Sequence, residues 1–520
     1  MSRALAIRGG KVVALDAEAE ALSSEPSSTV IDLAGGALVP ALGDGHAHPM
    51  LGGVEAFGPQ IRQAKDLAGI LSAVAEWREA HPDADWIVGG SYDATFAEQG
   101  LFDARWLDEV TGDTPTILRS WDYHTAWVNS AALAAGGITA DTPDPHLGRI
   151  VRRADGSPLG TLQEAAANDF LANVAPAFTL EQRLDALERA TRLYAAQGTT
   201  WVQDAWVEAD DVAAYIAAVQ QQRLHTRINL ALRADPAQWR DQLASFVAIR
   251  DEVRALGSDR LTAETIKFFL DGVVESHTAA LTEPYADRPD DRGLHNWDAA
   301  ELNAAATAFD EAGFQLHLHA IGDAANHTAL NAVEAAQRTA APRERHHVIA
   351  HVAVLDPAEV KRFADLGVIA NFEPYWAQCD AVMRDLTIPH LGSPRDSWQY
   401  LIGSVQRSGA TVTFGSDWPV TTPDWRPALA TGITRRSEPH GDAWLPEEQI
   451  DPQTAFAAYT RGIARQAQVS DRGTLAVGMV ADAVWLSASP LDIAPEEIPQ
   501  LAVHGTWLAG ERTFDPAASN

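Results

Sequence analysis

The chain has 520 residues, 46% of them hydrophobic, with 39 basic against 71 acidic side chains and a net charge of −32. So acidic a chain is ill suited to nucleic acid or an anionic membrane surface, both of which call for basic contacts. The single cysteine, Cys379, excludes an internal disulfide and a cysteine metal cluster, so any metal must be held by His, carboxylate or a modified side chain.

Residues 1–7 carry no secretory apolar core, because Arg8, Gly9, Gly10 and Lys11 interrupt it, and no run reaches 18 apolar residues. A cytoplasmic protein without a membrane span is expected. Short strands are predicted over residues 5–8, 11–15 and 29–33, and again over 481–486 and 502–510. Both ends read as strand-rich and lack helical periodicity. They point to a small β-sandwich domain built from residues 1–38 and 470–520. The stretch at 36–42 reads as a short apolar strand and runs into Gly43-Asp44-Gly45-His46-Ala47-His48-Pro49.

Between the ends, strands alternate with Ala-rich helices. Helices are predicted over residues 67–81, 180–197, 210–222, 299–312, 326–338, 357–366 and 399–408. Strands are predicted over 86–88, 115–119, 199–204, 227–232, 264–272, 314–319, 347–351, 368–372 and 411–417. Roughly eight strand-helix steps within residues 39–469 predict a distorted (β/α)8 barrel, the TIM barrel. An open doubly wound sheet is the competing architecture, although neither GxGxxG nor GxxxxGK[ST] is present. Residues from about 50 to 179 are too long for one crossover and read as an elaborated insertion, of the kind that walls an active site.

Chemistry in such a barrel sits where strands end. His46 and His48, two apart, can share one strand face. Lys267, His319, His351 and Asp417 fall at the ends of later predicted strands. Any isolated HxH in a chain with 17 His is a weak signal, but six metal-competent groups at five predicted strand ends form a specific set. Lys267 lies inside the apolar run 266–270, where an amine is costly to bury unless paired or modified. Beside two metals it can react with carbon dioxide to give an anionic bridging carbamate. Its bland alternative is a snorkelling tail, and that of Asp417 is a helix or turn cap.

These residues together resemble the amidohydrolase superfamily, in the amidohydrolase family 3 branch that holds YtcJ-like proteins and N-substituted formamide deformylases. The matching stretches are residues 38–48, 266–272 with Thr278-Ala279-Ala280-Leu281 and Pro284-Tyr285, then 319–324, His351, 415–420 and the closing 473–483. The match covers nearly the whole chain. The resemblance implies one or two zinc ions. His46, His48 and Asp417 would hold the more buried one, Lys267 would bridge as its N6-carboxylated form, and His319 and His351 would hold the second. It sets His317 aside in favour of His319. It gives Asp323 a role in positioning local backbone or His319. It brings the inserted stretch 121–129 near the substrate, so His124 is a candidate either to hydrogen-bond the substrate carbonyl or to order the loop. Two positions depart from the family pattern: Ala350 where an acid is common, and His277 where Arg is common.

The implied reaction is hydrolysis of a non-peptide C–N bond, in a linear amide or an N-acyl or N-formyl compound. Metal-bound hydroxide would attack the carbonyl and Asp417 would shuttle the proton. An esterase, lactonase or carbamate hydrolase would use the same groups, and a non-catalytic ligand-binding relative would keep the fold. The expected partner is a small-molecule substrate. Exposed Trp residues would suit a homodimer interface.

Overall fold

The computed structural model describes residues 3–339 and 343–517. Eight parallel strands form one sheet bent into a nearly closed barrel. In chain order they are β1 (Leu42–Ala47), β2 (Thr199–Val207), β3 (Arg227–Arg233), β4 (Leu261–Phe269), β5 (Gln315–Ala320), β6 (Val348–His351), β7 (Ile369–Phe372) and β8 (Val412–Phe414). Each strand pairs with its sequence neighbour in the barrel. Helices such as Leu180–Ala196, Trp239–Ala255, Ala299–Glu311 and Asp323–Thr339 connect them. Parallel strands so covered are buried on both faces, and all six residues of β5 are buried.

Among the described residues β1 and β8 are not ladder partners. The seam closes just beyond them, where Asp417 N–H donates to the His46 carbonyl and His48 N–H to the Trp418 carbonyl, each at 2.7 Å. Glycine permits this approach: a Cβ on Gly415 would lie 2.8 Å from His46 N, and one on Gly45 2.3 Å from Asn371 Nδ2.

The barrel interior carries a polar belt. Asn229 Nδ2 donates to Gln203 Oε1 and Thr265 Oγ1, and Thr265 Oγ1 donates to Gln315 Oε1, each at 2.7 Å. Gln315 Nε2 reaches the Gln466 carbonyl at 2.8 Å, and Thr413 Oγ1 donates to Gln466 Oε1 at 2.7 Å. Buried polar groups persist only when so paired. Lys267 and His317 lie two residues beyond Thr265 and Gln315 on the same strands, hence one layer further along the interior.

A four-stranded antiparallel sheet draws on both ends of the chain. Ala37–Pro40 pairs with Ala483–Leu486, which pairs with Val503–Leu508 and then Glu511–Phe514. The predicted strand at 36–42 is therefore divided: Ala41 separates Ala37–Pro40, in this sheet, from β1. Leu5–Arg8 and Lys11–Leu15 form a separate hairpin. Residues 29–33 are not a strand; Val30 and Ile31 are exposed, and β propensity without a partner edge makes no ladder. Asp16–Leu22 is a helix that the strand-rich reading of this end overlooked, although its Ala and Glu residues are strong helix formers.

Residues 49–186, with 419–421, form a second compact unit. Its five-stranded sheet runs Ile87–Tyr92, Thr116–Ser120, Thr125–Val128, Pro158–Glu164, Gly148–Arg152. The strands predicted near residues 86 and 115 belong to this sheet and not to the barrel. Trp127, Tyr92 and Phe102 pack together in its core, with the Trp127 ring 5.8 Å from Tyr92 and 4.8 Å from Phe102.

No helix among the described residues is long and apolar enough to cross a membrane. Every tryptophan is buried or partly buried.

One buried ion cluster carries a pH-dependent prediction. Burial alone would raise the pKa of Asp310, but the hydrogen bond with His347 and those with Arg345 and Arg343 hold its carboxyl at about 2. A depressed carboxylate contributes stability above its unfolded pKa near 3.8 and loses it as pH falls through the folded value. Asp310→Asn is therefore expected to cost on the order of 1 kcal/mol at pH 7, after allowance for the part-exposed Arg343. The difference from wild type should shrink between pH 4 and 2 in denaturant melts. A pH-independent gap would contradict it.

Candidate metal centre

β1 delivers His46, and the chain just past it delivers His48. β4 delivers Lys267, β5 His319, β6 His351, and the loop after β8 Asp417. Asp417 Oδ1 stands 3.0 Å from His48 Nε2 and 3.6 Å from His46 Nε2. The His351 ring lies 4.6 Å from His46 and 4.3 Å from His319. One donor atom each from His46, His351 and Asp417 falls within 4.8 Å of the others. Lys267 is 1% exposed and feels the charges of Asp417, Glu373 and Asp204. Five of the six sequence-selected groups are thus linked by direct contacts, and Lys267 is coupled to them electrostatically.

Two of these residues hold left-handed backbone, His351 at φ +75° and Asp417 at φ +51°. Non-glycine residues adopt it rarely, and it concentrates at functional sites.

Carboxylates and a further imidazole stand behind the ring of donors. His351 Nδ1 contacts Glu373 Oε2 at 2.9 Å. His46 Nδ1 contacts His317 Nε2 at 2.8 Å. His319 Nε2 lies 3.6 Å from Asp271 Oδ1. Asp44 ties the seam: it accepts from His46 N at 3.2 Å, Ser416 N at 2.9 Å and Ser416 Oγ at 2.5 Å. Such outer partners fix which imidazole nitrogen faces inward.

The protonation states suit ligation. Burial, then the charge of Lys267, pushes His46 well below its ordinary value, and burial also lowers His48. Both rings are therefore neutral, as a metal requires. Burial would raise Asp417, but the His48 hydrogen bond and the charge of Lys267 hold it low, so it is ionised. Burial brings Lys267 down to about 8 against the pull of Asp417, Glu373 and Asp204.

The donor set fits a late transition metal: imidazole nitrogens, a carboxylate and no thiolate. His351 Nε2, across its ring from the Glu373 contact, is buried with no hydrogen-bond partner. A buried nitrogen left so costs stability unless another group takes its lone pair.

His124 lies in the second unit. Its Nδ1 stands 3.0 Å from Glu164 Oε2, its backbone N–H donates to Asp122 Oδ1 at 2.9 Å, and its carbonyl accepts from Glu164 N–H at 2.7 Å. Glu164 is 5% exposed and has φ +53°. Asp323 accepts from Thr282 N–H at 3.1 Å, which is a backbone role; the carboxylate beside His319 is Asp271.

Glu373, Asp271, Asp44 and His317 escaped a role in the sequence reading. Glu373 directly follows β7, so the strand-end rule would have found it. Asp271 and Asp44 sit inside the motifs already singled out. Nothing local in the sequence pairs His317 with a residue 271 positions away. Glu373→Gln is expected to weaken metal affinity by about 10–100-fold, the usual cost of losing an outer-shell partner. Competition against a chelator measures it, and wild-type affinity would exclude the role.

Comparison with known proteins gives the family and the fold. Residues 29–514 match the family model Amidohydro_3, described as the amidohydrolase family. Protein LONG AFTER FAR-RED 3 of Arabidopsis thaliana is 28% identical over 98% of this chain and 88% of its own length. N-substituted formamide deformylase of Arthrobacter pascens is 26% identical over 100% of this chain and 96% of its own. Among solved structures, an uncharacterized metal-dependent hydrolase from Pyrococcus horikoshii OT3 superimposes with a TM-score of 0.73 at 21% identity, covering 94% of both chains. That likeness is one of fold.

Proposed function

The chain belongs to the amidohydrolase family, and from that premise we propose that it is a metal-dependent hydrolase of non-peptide C–N bonds, acting on a linear amide or an N-acyl or N-formyl compound. The observation that carries this reading is the convergence of neutral His46 and His48, His351 and ionised Asp417 around buried Lys267. The similarity to an N-substituted formamide deformylase favours the N-formyl class among the candidates.

His46, His48 and Asp417 would hold one zinc-like ion, and His319 and His351 a second, with Lys267 between them. When bound, the metal polarises the scissile carbonyl and lowers the pKa of water. The chain's own residues do the rest. Asp417, ionised and within 3.0 Å of His48 Nε2, takes a proton from the attacking water and returns it to the leaving nitrogen. Glu373 and His317 hold the His351 and His46 rings from behind. Lys267, with a pKa of about 8, keeps a neutral fraction near pH 7, and the neutral amine is the form that reacts with carbon dioxide.

The test is turnover of N-formyl amines, N-acyl amines, esters, lactones and carbamates by zinc-loaded and chelator-stripped protein. Hydrolysis of an N-formyl or N-acyl amine is expected, lost on stripping and restored by zinc. Turnover confined to esters, lactones or carbamates would overturn the bond assignment. Full turnover after stripping would overturn the metal requirement.

A further inference from the structure

Away from the candidate centre, His277, Asp287 and His390 bring three further donor atoms within 4.8 Å of one another. We propose that these residues form an accessory site for a zinc-like divalent transition metal, which clamps two βα loops of the barrel together. His277 and Asp287 lie on the loop that leaves β4, and His390 on the short helix Ile388–Leu391 in the connection after β7. Those strands are not neighbours, since β5 and β6 stand between them. In parallel strands both loops emerge at the same face.

The spacing matches a metal. Tetrahedral zinc with bonds of about 2.0–2.1 Å places its donors about 3.3 Å apart. Asp287 Oδ2 stands 2.8 Å from His277 Nε2 and 3.7 Å from His390 Nε2, values on either side of that spacing. The two imidazoles lie 4.0 Å apart at 36°.

The orientation matches as well. His390 Nδ1 contacts the Val274 carbonyl at 3.3 Å, and only the protonated nitrogen can donate there. That contact leaves His390 Nε2 turned toward the Asp287 carboxylate, 3.7 Å from Oδ2. A cation seated between the two atoms would be bonded by both. Backbone carbonyls set metal-ligating histidines in this way. At His277 the ion replaces the Nε2 proton now shared with Asp287, and that proton moves to Nδ1.

The site is open on one side. The side chains of His277 and His390 are 6% and 14% exposed, and that of Asp287 is 42% exposed. Three protein ligands with one face to solvent leave a fourth position for water. The two segments already touch through Ala286 N–H to the His390 carbonyl at 2.8 Å and Arg395 Nη2 to the Pro284 carbonyl at 2.6 Å. A metal would finish that join without a large rearrangement.

The experiment counts zinc in full-length protein, stripped with chelator and dialysed against micromolar zinc alone. Six proteins are compared: wild type, His46→Ala, His390→Ala, and His46→Ala combined in turn with His390→Ala, Asp287→Asn or His277→Gln. Each combined variant is expected to hold one zinc per chain fewer than His46→Ala and to show a smaller zinc-induced rise in Tm. Equal zinc content across the series would overturn the proposal, leaving an ordinary hydrogen-bonded His-Asp pair. Asp287→Asn guards against misfolding, since Asp287 is the most exposed of the three and its isostere disturbs packing least; circular dichroism of the stripped proteins checks the fold. Failure of the catalytic assignment reads differently. Then wild type itself holds the single zinc, keeps it in His46→Ala and loses it in His390→Ala.

Discussion

Asp417→Asn is expected to lower kcat by about 10²–10⁴-fold, the range supplied by a positioned acid-base group, while the protein stays folded. Asparagine matches the size of aspartate and is among the residues that best tolerate left-handed backbone, so φ +51° survives the exchange. The Asp417 N–H bond to the His46 carbonyl survives too, because it is made by backbone. What disappears is the charge and the ability to take a proton. Part of the metal affinity should go with the charge, so the assay is run at saturating zinc with metal content measured on the same sample. Turnover near wild type with metal retained would remove Asp417 from the proton path.

His46→Ala is expected to lose bound metal, with affinity falling by more than the about 10–100-fold typical of an outer-shell loss. His46 is 1% exposed, and its Nδ1 contacts His317 Nε2 at 2.8 Å. Deleting the ring therefore also strands His317, at about 1–3 kcal/mol for an unsatisfied buried group. A drop in Tm alone is then uninformative. The decisive comparison is with stripped wild type: metal titrated back into both proteins should reload the wild-type centre and not that of the variant. Full occupancy of this centre in His46→Ala, located by anomalous scattering, would defeat the assignment.

The difference between the two predictions reflects the geometry. Asp417 approaches the site from the end of the barrel sheet and His46 from its beginning. The hydrogen bond from Asp417 N–H to the His46 carbonyl makes them neighbours across the seam. Gly45 and Gly415 let the two backbones meet, since any side chain there would collide. The candidate metal ligands and the barrel closure thus share the same few residues, and Asp44 ties the His46 strand to Ser416 across 372 positions.

The alternation of strands and helices was legible because it rests on local periodicity. So were the candidate ligands, because each lies at or near the end of a predicted strand. Local propensity misled at residues 29–33, which have strand-forming side chains and no edge to pair with, and at Asp16–Leu22, whose helix formers sit in strand-rich surroundings. It also divided nothing at Ala41, where the chain leaves one sheet for another without any change of character.

The resemblance of its motifs pointed to the amidohydrolase type, and by itself the sequence indicated a β/α barrel with His46, His48, Lys267, His319, His351 and Asp417 at or near its strand ends. Those properties depend on near neighbours and on the two-residue period of a strand. Only the tertiary structure decided which groups stand behind them: Glu373 behind His351, His317 behind His46, Asp271 beside His319, and His390 beside Asp287. Such pairs are made when strands and loops far apart in the chain are packed side by side. Their protonation follows from the burial that packing imposes, and no short stretch of sequence carries that information.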